Sequence, residues 1–469
     1  MIMAALIVSG TSAGAQTVSK STDADRTAVE VTVYNNNLGL IKETRSVDIP
    51  AGRGELRFMD VPAHIMPVTV HVKSLDDPKG LSVLEQNYEY DLINSAKLLD
   101  KYVGKKIRII DWNKYQDRKD EIDAILLSNN EGQVFKIDNQ IFLGHPGIKV
   151  LPELPENLVA QPTLTWLYQS AAAKKHRLEA SYLTNNLNWN ADYVAVVNKD
   201  DTLADISGWV TVDNKSGASY KDARLKLVAG EVQRVAEEEV EIPPMLQREM
   251  RMDQMAPGRA FEEKPFFEYH LYDLQRTTTL KDNQTKQISL LDASKVKIEK
   301  ELLVQGAKHY FTMHVVEPVP RQPVTVQVKF KNSKENNMGM PLPAGIMRVY
   351  KEDDGGSRQF AGEDRIEHTP KDEEVKLKLG QAFDVVAERV QTDYKQLTMQ
   401  MHESEWEITI RNHKDKEVSV GIIEPLLGNW TVVSKSAPYK KIDAFTIRFD
   451  VKVPKDGETK VKYRVKVGL

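Results

Sequence analysis

Phe445-Thr-Ile-Arg-Phe-Asp-Val-Lys-Val453 and, a short step on, Lys460-Val-Lys-Tyr-Arg-Val-Lys-Val467 decide the fold. Phe445, Ile447, Phe449, Val451 and Val453 fall on one face of the first stretch. In the second, Val461, Tyr463, Val465 and Val467 stand opposite Lys460, Lys462, Arg464 and Lys466. Side chains alternate sides along a strand, so this period predicts strands that pack one face and wet the other.

The same period recurs upstream. Val324, Val326, Val328 and Phe330 alternate with polar residues, as do Val29, Val31 and Val33. Leu38–Ile49 and Glu55–Val61 read as strands around an Ala51-Gly52-Arg53-Gly54 turn. More are expected at 106–111, 122–127, 133–137, 177–183, 189–197, 206–212 and 223–229. One helix stands out over Asn94–Val103, with Asn94 or Ser95 as cap, an apolar face of Leu98, Leu99, Tyr102 and Val103, and Gly104 ending it. The expected fold is mainly β: antiparallel β-sandwich domains of immunoglobulin-like type with one short helix in the N-terminal region.

Composition narrows the function. The 469 residues carry 64 Lys and Arg against 68 Asp and Glu, a net charge of -4. That disfavours a nucleic-acid binder of the ordinary basic kind. Zero Cys removes disulfides, thiolate metal sites and cysteine nucleophiles. The first residues form a short apolar run ending in Ala13-Gly14-Ala15, which reads as a signal peptide over 1–15 and an exported, periplasmic or extracellular protein. No apolar run reaches the roughly 18 residues of a transmembrane helix.

Residues 16–26 read as a linker and 27–155 as an N-terminal β-rich domain, with prolines 146, 152, 155 and 162 near its end. The first part of the sandwich core is expected over 156–334, interrupted by a mobile acidic loop at 231–263. That loop holds Pro243, Pro244 and Pro257 with Met245, Met250, Met252 and Met255. The C-terminal sandwich is expected over 335–469. Three stretches run a strand into Asn plus polar residues: Val210 to Asn214, Val328 to Asn332 and Ile408 to Asn412. They read either as equivalent corners of a repeated sandwich module or as the ordinary use of Asn at strand ends.

Candidate chemistry is sparse. The His residues stand singly; His309 and His314, like His64 and His71, have a spacing that puts them on opposite sides of a strand. Asp353-Asp354-Gly355-Gly356 fits a hairpin turn, or a calcium loop as the alternative. Glu363-Asp364-Arg365 reads as a solvated corner. Trp406 is expected in the core, whereas Trp189, set among asparagines, is expected to be partly exposed. No catalytic residue, metal ligand or cofactor is assigned.

Several motifs in order resemble one family, domain of unknown function 4139, whose relatives include proteins labelled mucoidy inhibitor A. They are Ser181-Tyr-Leu183, Asn188-Trp-Asn-Ala-Asp-Tyr193, Gly208-Trp-Val-Thr-Val-Asp-Asn214 and Leu225-Lys-Leu-Val-Ala-Gly230, followed by Pro341-Leu-Pro-Ala-Gly345 with Arg348-Val-Tyr350. Ala361-Gly-Glu-Asp364, Gly380-Gln-Ala-Phe-Asp384, Ile410-Arg-Asn412 and Gly428-Asn-Trp430 complete the set. Val33-Tyr-Asn35 and Val61-Pro-Ala63 resemble the family's leader region. The chain lacks the long heptad helix of the mucoidy-inhibitor type. The resemblance implies an exported all-β envelope protein without assigned catalytic residues.

The leading expectation is thus a binding or scaffolding protein whose partner is an envelope protein or a polysaccharide. The basic stripe Lys460, Lys462, Arg464 and Lys466 is a candidate contact for a polyanionic glycan, or a device that keeps an exposed strand soluble. The alternative is a hydrolase acting on envelope polysaccharide, which would need two facing carboxylates at glycosidase separation.

Overall fold

The computed structural model describes residues 17–89, 93–113, 118–155, 161–230, 232–233, 261–266, 269–353 and 355–468. The leader 1–15, the methionines of the acidic segment and Asp354 lie outside the described residues. The protein is mainly β, with one α-helix among the described residues, Ser95–Lys101. Asn94 caps it by accepting the Lys97 N–H at 2.9 Å, and Gly104 follows at φ +83. Among the described residues no helix is long and apolar enough to cross a membrane.

Six sheets make up the rest of the described strands. In sheet order, sheet A holds Thr17–Ser21, Gly52–Phe58, Thr163–Ser170 and Leu81–Glu89. Sheet B holds Phe261–Phe266, Tyr269–Leu280, Tyr220–Ala229, Arg26–Tyr34, Leu38–Ile49, Lys174–Asn185 and His71–Ser74. Sheet C holds Gln284–Lys297, Leu203–Asn214, Leu187–Val197, Gly345–Glu352 and Arg358–Ile366. These three share one core, with Phe58 and Trp166 from A, Val31, Ile41 and Tyr182 from B, and Trp189, Tyr193 and Val349 from C.

Sheet D is small: Gln140–Leu143, Val134–Ile137, Arg118–Ser128, Lys106–Asn113 and Ile148–Val150. With the helix it buries its own cluster of Leu99, Tyr102, Ile107 and Phe135. Sheet E holds Glu374–Gln381, Val324–Lys331, Glu299–Gln305, Val418–Pro425, Thr446–Val453 and Tyr439–Lys441. Sheet F holds Val319–Gln322, Val385–Thr398, Met401–Asn412, Gly457–Gly468 and Asn429–Lys435. E and F close a sandwich on Val304, Ile422 and Phe449 from one side and Trp406, Ile408 and Tyr463 from the other.

The deciding stretch behaves as its period requires. Ile447, Phe449, Val451 and Val453 are buried, and so are Val461, Tyr463, Val465 and Val467. Phe445 departs from the pattern, because the strand begins at Thr446 and leaves its ring 51% exposed. The expected linker is a second departure. Thr17–Ser21 is a strand running parallel to Gly52–Phe58, and Arg26 already begins the next strand. An edge strand with one wet side needs few apolar residues, so its polar sequence hid it. The end of the expected acidic loop is also strand, since Phe261–Phe266 pairs with Tyr269–Leu280.

Antiparallel pairing dominates, yet among the described residues four strand pairs are parallel: Thr17–Ser21 with Gly52–Phe58, Arg26–Tyr34 with Tyr220–Ala229, Leu187–Val197 with Gly345–Glu352, and Glu299–Gln305 with Val418–Pro425. Each arises because the chain leaves a sheet, builds elsewhere and returns in the same sense. The same returns run across the expected borders. Leu38–Ile49 pairs along its whole length with Lys174–Asn185, so the first strands share the middle core, and the 93–155 segment alone has its own. Gly345–Ile366 completes sheet C, while Glu299–Gln305 and Val324–Lys331 belong to sheet E. A border at 334/335 therefore cuts through both units. Local alternation specifies strands but not which strands meet.

Two of the three Asn corners are alike in detail. The buried Asn214 amide donates to the carbonyls of Ala218 and Lys281 at 2.9 and 3.0 Å, and its oxygen accepts the Ser216 N–H. Asn412 donates to Lys416 and Pro454 at 2.8 and 3.0 Å and accepts the Lys414 N–H. Each staples its own strand end to a distant segment through residues two and four ahead. Asn332 bonds differently, to Met340, Pro370 and Gly339.

Candidate functional site

The outer face of sheet C gathers polar side chains from neighbouring strands around an exposed indole. Alternation turns Leu187, Trp189, Ala191 and Tyr193 inward, and so sends Asp192 outward. Asp192 stands opposite Trp209 on the adjacent strand, and the Trp209 ring is 41% exposed. Arg348 Nη1 donates to Asp192 Oδ1 at 3.1 Å, and its Nε lies 3.2 Å from Glu363 Oε2. Thr211 Oγ1 donates to the other Asp192 oxygen at 3.2 Å, and Gln287 donates to Thr211 at 3.3 Å. A row of hydrogen bonds, ending in the Arg348–Glu363 ion pair, thus crosses from the Gln287 strand to the Glu363 strand. Farther along, Tyr350 and Phe360 meet edge to face at 5.7 Å, with Phe360 largely exposed. The registers put Trp209 and the Tyr350–Phe360 pair on one side of the polar row, toward Val197.

Sequence reasoning did not single out this group, although Asp192, Trp209, Thr211, Arg348 and Glu363 all stand in the motifs that carry the family resemblance. The signal available was alternation, which places Asp192 and Trp209 on the side opposite the buried Tyr193. The same rule corrects the expectation for Trp189. It is fully buried, donates to the Val228 carbonyl at 3.2 Å and meets Tyr272 edge to face. Its asparagine neighbours occupy the other side of the strand. Trp406 is buried in the second sandwich.

Three of the four residues of the basic stripe are paired in place. Lys460 and Lys462 lie 3.5 and 2.6 Å from Glu407, and Arg464 reaches Asp393, Glu403 and Glu405. Hydrogen bonding to Glu407 raises the Lys462 pKa, and bonding to Asp393 raises that of Arg464. The strand that carries Glu403, Glu405 and Glu407 is the direct neighbour of the stripe's strand, and Asp393 lies one strand beyond, so the stripe is part of a cross-strand charge ladder. Asp353 closes a turn: one oxygen accepts the N–H groups of Gly355 and Ser357, the other the Gln359 amide. Among the described residues no three His, Asp or Glu side chains converge as metal ligands.

Two buried ion clusters sit in the cores. Glu43 accepts from Arg26 at 2.8 Å, Arg45 at 3.0 Å and Tyr182 at 2.7 Å. Arg45 lies over the Phe58 ring at 3.7 Å. In the second sandwich, Arg389 donates to Glu424 at 2.7 Å and to Gln322 at 3.0 Å. Both clusters are buried; Arg45 also donates to the Met59 carbonyl at 2.7 Å, and Arg45 Nη2 and Glu424 Oε2 are left without a hydrogen-bond partner among the described residues. A cleft of about 150 Å³ is lined by Val326, Val349 and Leu379, and its lysines, Lys300 and Lys351, both bind Asp201. No family model matches the chain, and no curated protein matches it in sequence.

Proposed function

We propose that this is an exported β protein of the cell envelope, kin to the domain of unknown function 4139 family, that binds a hydroxyl-rich glycan chain across the outer face of sheet C. The observation that carries the reading is Trp209, an exposed indole beside the Asp192–Arg348–Glu363 row. A sugar ring has an apolar face that suits an aromatic platform, and its hydroxyls suit carboxylate acceptors and a guanidinium donor. An open sheet face admits a polymer that runs past it. Export rests on the leader sequence at 1–15.

Binding fits this face better than hydrolysis. Asp192 and Glu363 each engage the same guanidinium, and both carboxylates stay partly exposed to water. The test is affinity electrophoresis through gels containing alginate, as an acidic polysaccharide, or laminarin, as a neutral one. Retardation by one of them should weaken about fivefold in Trp209→Ala, a loss of about 1 kcal/mol. It should weaken again in Arg348→Ala, with the circular dichroism spectrum unchanged. Retardation that Trp209→Ala leaves untouched, or migration unaffected by either polymer, would overturn the reading.

A further inference from the structure

Among the described residues, six sheets with two edges each present twelve edge strands. Eleven of them carry Lys, Arg, Asp or Glu, and two of these add Pro. Even the shortest are protected: Lys73 in His71–Ser74, Lys149 in Ile148–Val150, Arg321 in Val319–Gln322 and two lysines in Tyr439–Lys441. Charges and prolines on an edge keep it from pairing with another chain. The exception is Gln140–Leu143 in sheet D, which reads Gln-Ile-Phe-Leu.

The apolar side chains of this strand are open to solvent. Ile141 is 68% and Leu143 86% exposed, and Phe142 is 37% exposed. It is held firmly for presentation, because Asp138 and Asn139, at φ +44 and +71, form a tight two-residue hairpin to Val134–Ile137. Phe142 stands opposite the buried Phe135 and leans to the core side. Ile141 and Leu143 therefore share the outer side.

We infer that this edge pairs with the same edge of a second copy of the chain, as an antiparallel ladder about a two-fold axis at Phe142. A two-fold axis normal to a sheet keeps each side chain on its own face, so partners must have residue numbers of even sum. The register centred on Phe142 sets Ile141 against the partner's Leu143, and Leu143 against the partner's Ile141. These are apolar cross-strand pairs of the kind that stabilise sheets. Two apolar residues spaced two apart are what such self-pairing needs, and an uncharged strand brings no like charges together. The same register sets Asn139 against the partner's His145, so the acidic turn at Asp138 comes beside an imidazole. A second copy therefore satisfies the strand without any other chemistry. The ladder is short, well below the roughly 800 Å² per partner of a standard interface, so the dimer is weak and reversible.

Sedimentation velocity on the full chain across a wide concentration range tests this. The expected result is a concentration-dependent shift from 53.1 kDa toward twice that mass. Leu143→Lys, at a position open enough to tolerate it, should hold the protein monomeric at every concentration. Val433→Lys, on the exposed edge strand Asn429–Lys435, should leave the dimer intact. A wild-type protein that stays monomeric throughout would overturn the inference, and so would a dimer that survives Leu143→Lys or is lost equally in Val433→Lys.

Discussion

Glu43→Gln tests what holds the first core together. The carboxylate is fully buried and receives two guanidinium groups and a phenol. Burial alone would raise its pKa, but the charges of Arg45 and Arg26 and the Tyr182 hydrogen bond outweigh it and hold the group below its usual range. Glutamine keeps the shape and an acceptor but removes the charge, leaving Arg45 buried without a counter-ion. Breaking a buried pair from one side costs about 3–5 kcal/mol. For a cooperative unit of this size that lowers Tm by roughly 6–20 °C. The pH dependence has a definite sign. A depressed carboxylate contributes stability that is present above its unfolded value and lost as pH falls through its folded value. The wild type should therefore lose stability below about pH 4.5, whereas Glu43→Gln should already be weakened at pH 7 and flatter in acid. Urea unfolding followed by tryptophan fluorescence at pH 7 and pH 4 reads both effects. A variant within about 1 kcal/mol of wild type at pH 7, or one with the same acid slope, would refute the reasoning.

Other outcomes follow from the same structure. Asn412→Ala strands the carbonyls of Lys416 and Pro454 and should cost about 1–3 kcal/mol in urea unfolding. Asn214→Ala should cost a similar amount in the first core. Gly306→Ala would drive a methyl group into the Glu424 carboxylate beside Arg389, so its melting temperature should fall by several degrees; an unchanged value would mean that the pair can shift freely. Replacing Glu403, Glu405 and Glu407 together with Gln should expose the basic stripe and raise the salt needed to elute the protein from heparin, whereas the wild type should elute early.

Legibility in the sequence followed the range of each interaction. Alternation located Leu38–Ile49 to the residue and the inner faces of the last two strands, because the period of a strand is local. The single helix was equally readable, since its cap and its terminating glycine sit within a few residues of each other. The polar strand Thr17–Ser21 was invisible because an edge needs little apolar content. The borders and the candidate face were lost for one shared reason. Asp192, Trp209, Arg348 and Glu363 lie on four strands spread over more than a hundred residues, and their meeting depends on the parallel return of Gly345–Glu352 to Leu187–Val197. Nothing within either strand announces that return.

What selects one pairing among many similar Val- and Ile-rich strands is polar, and it lies in the cores. Glu43 and Arg45 occupy inward positions of Leu38–Ile49, where alternation elsewhere puts Ile41, Val47 and Ile49. If that strand slipped by two residues against Lys174–Asn185, every side chain would keep its face. Glu43 and Arg45 would stay inward but move along the strand, and the buried Tyr182 hydroxyl would lose its acceptor. An apolar strand could repack after such a slip at modest cost, but a strand with a buried ion pair cannot. The second sandwich has the same arrangement: Arg389 and Glu424 come from opposite sheets and meet only when E and F are in register. Buried ion pairs add little net stability. Here their geometric effect is larger, because each penalises the slipped alternatives that hydrophobic burial alone would tolerate.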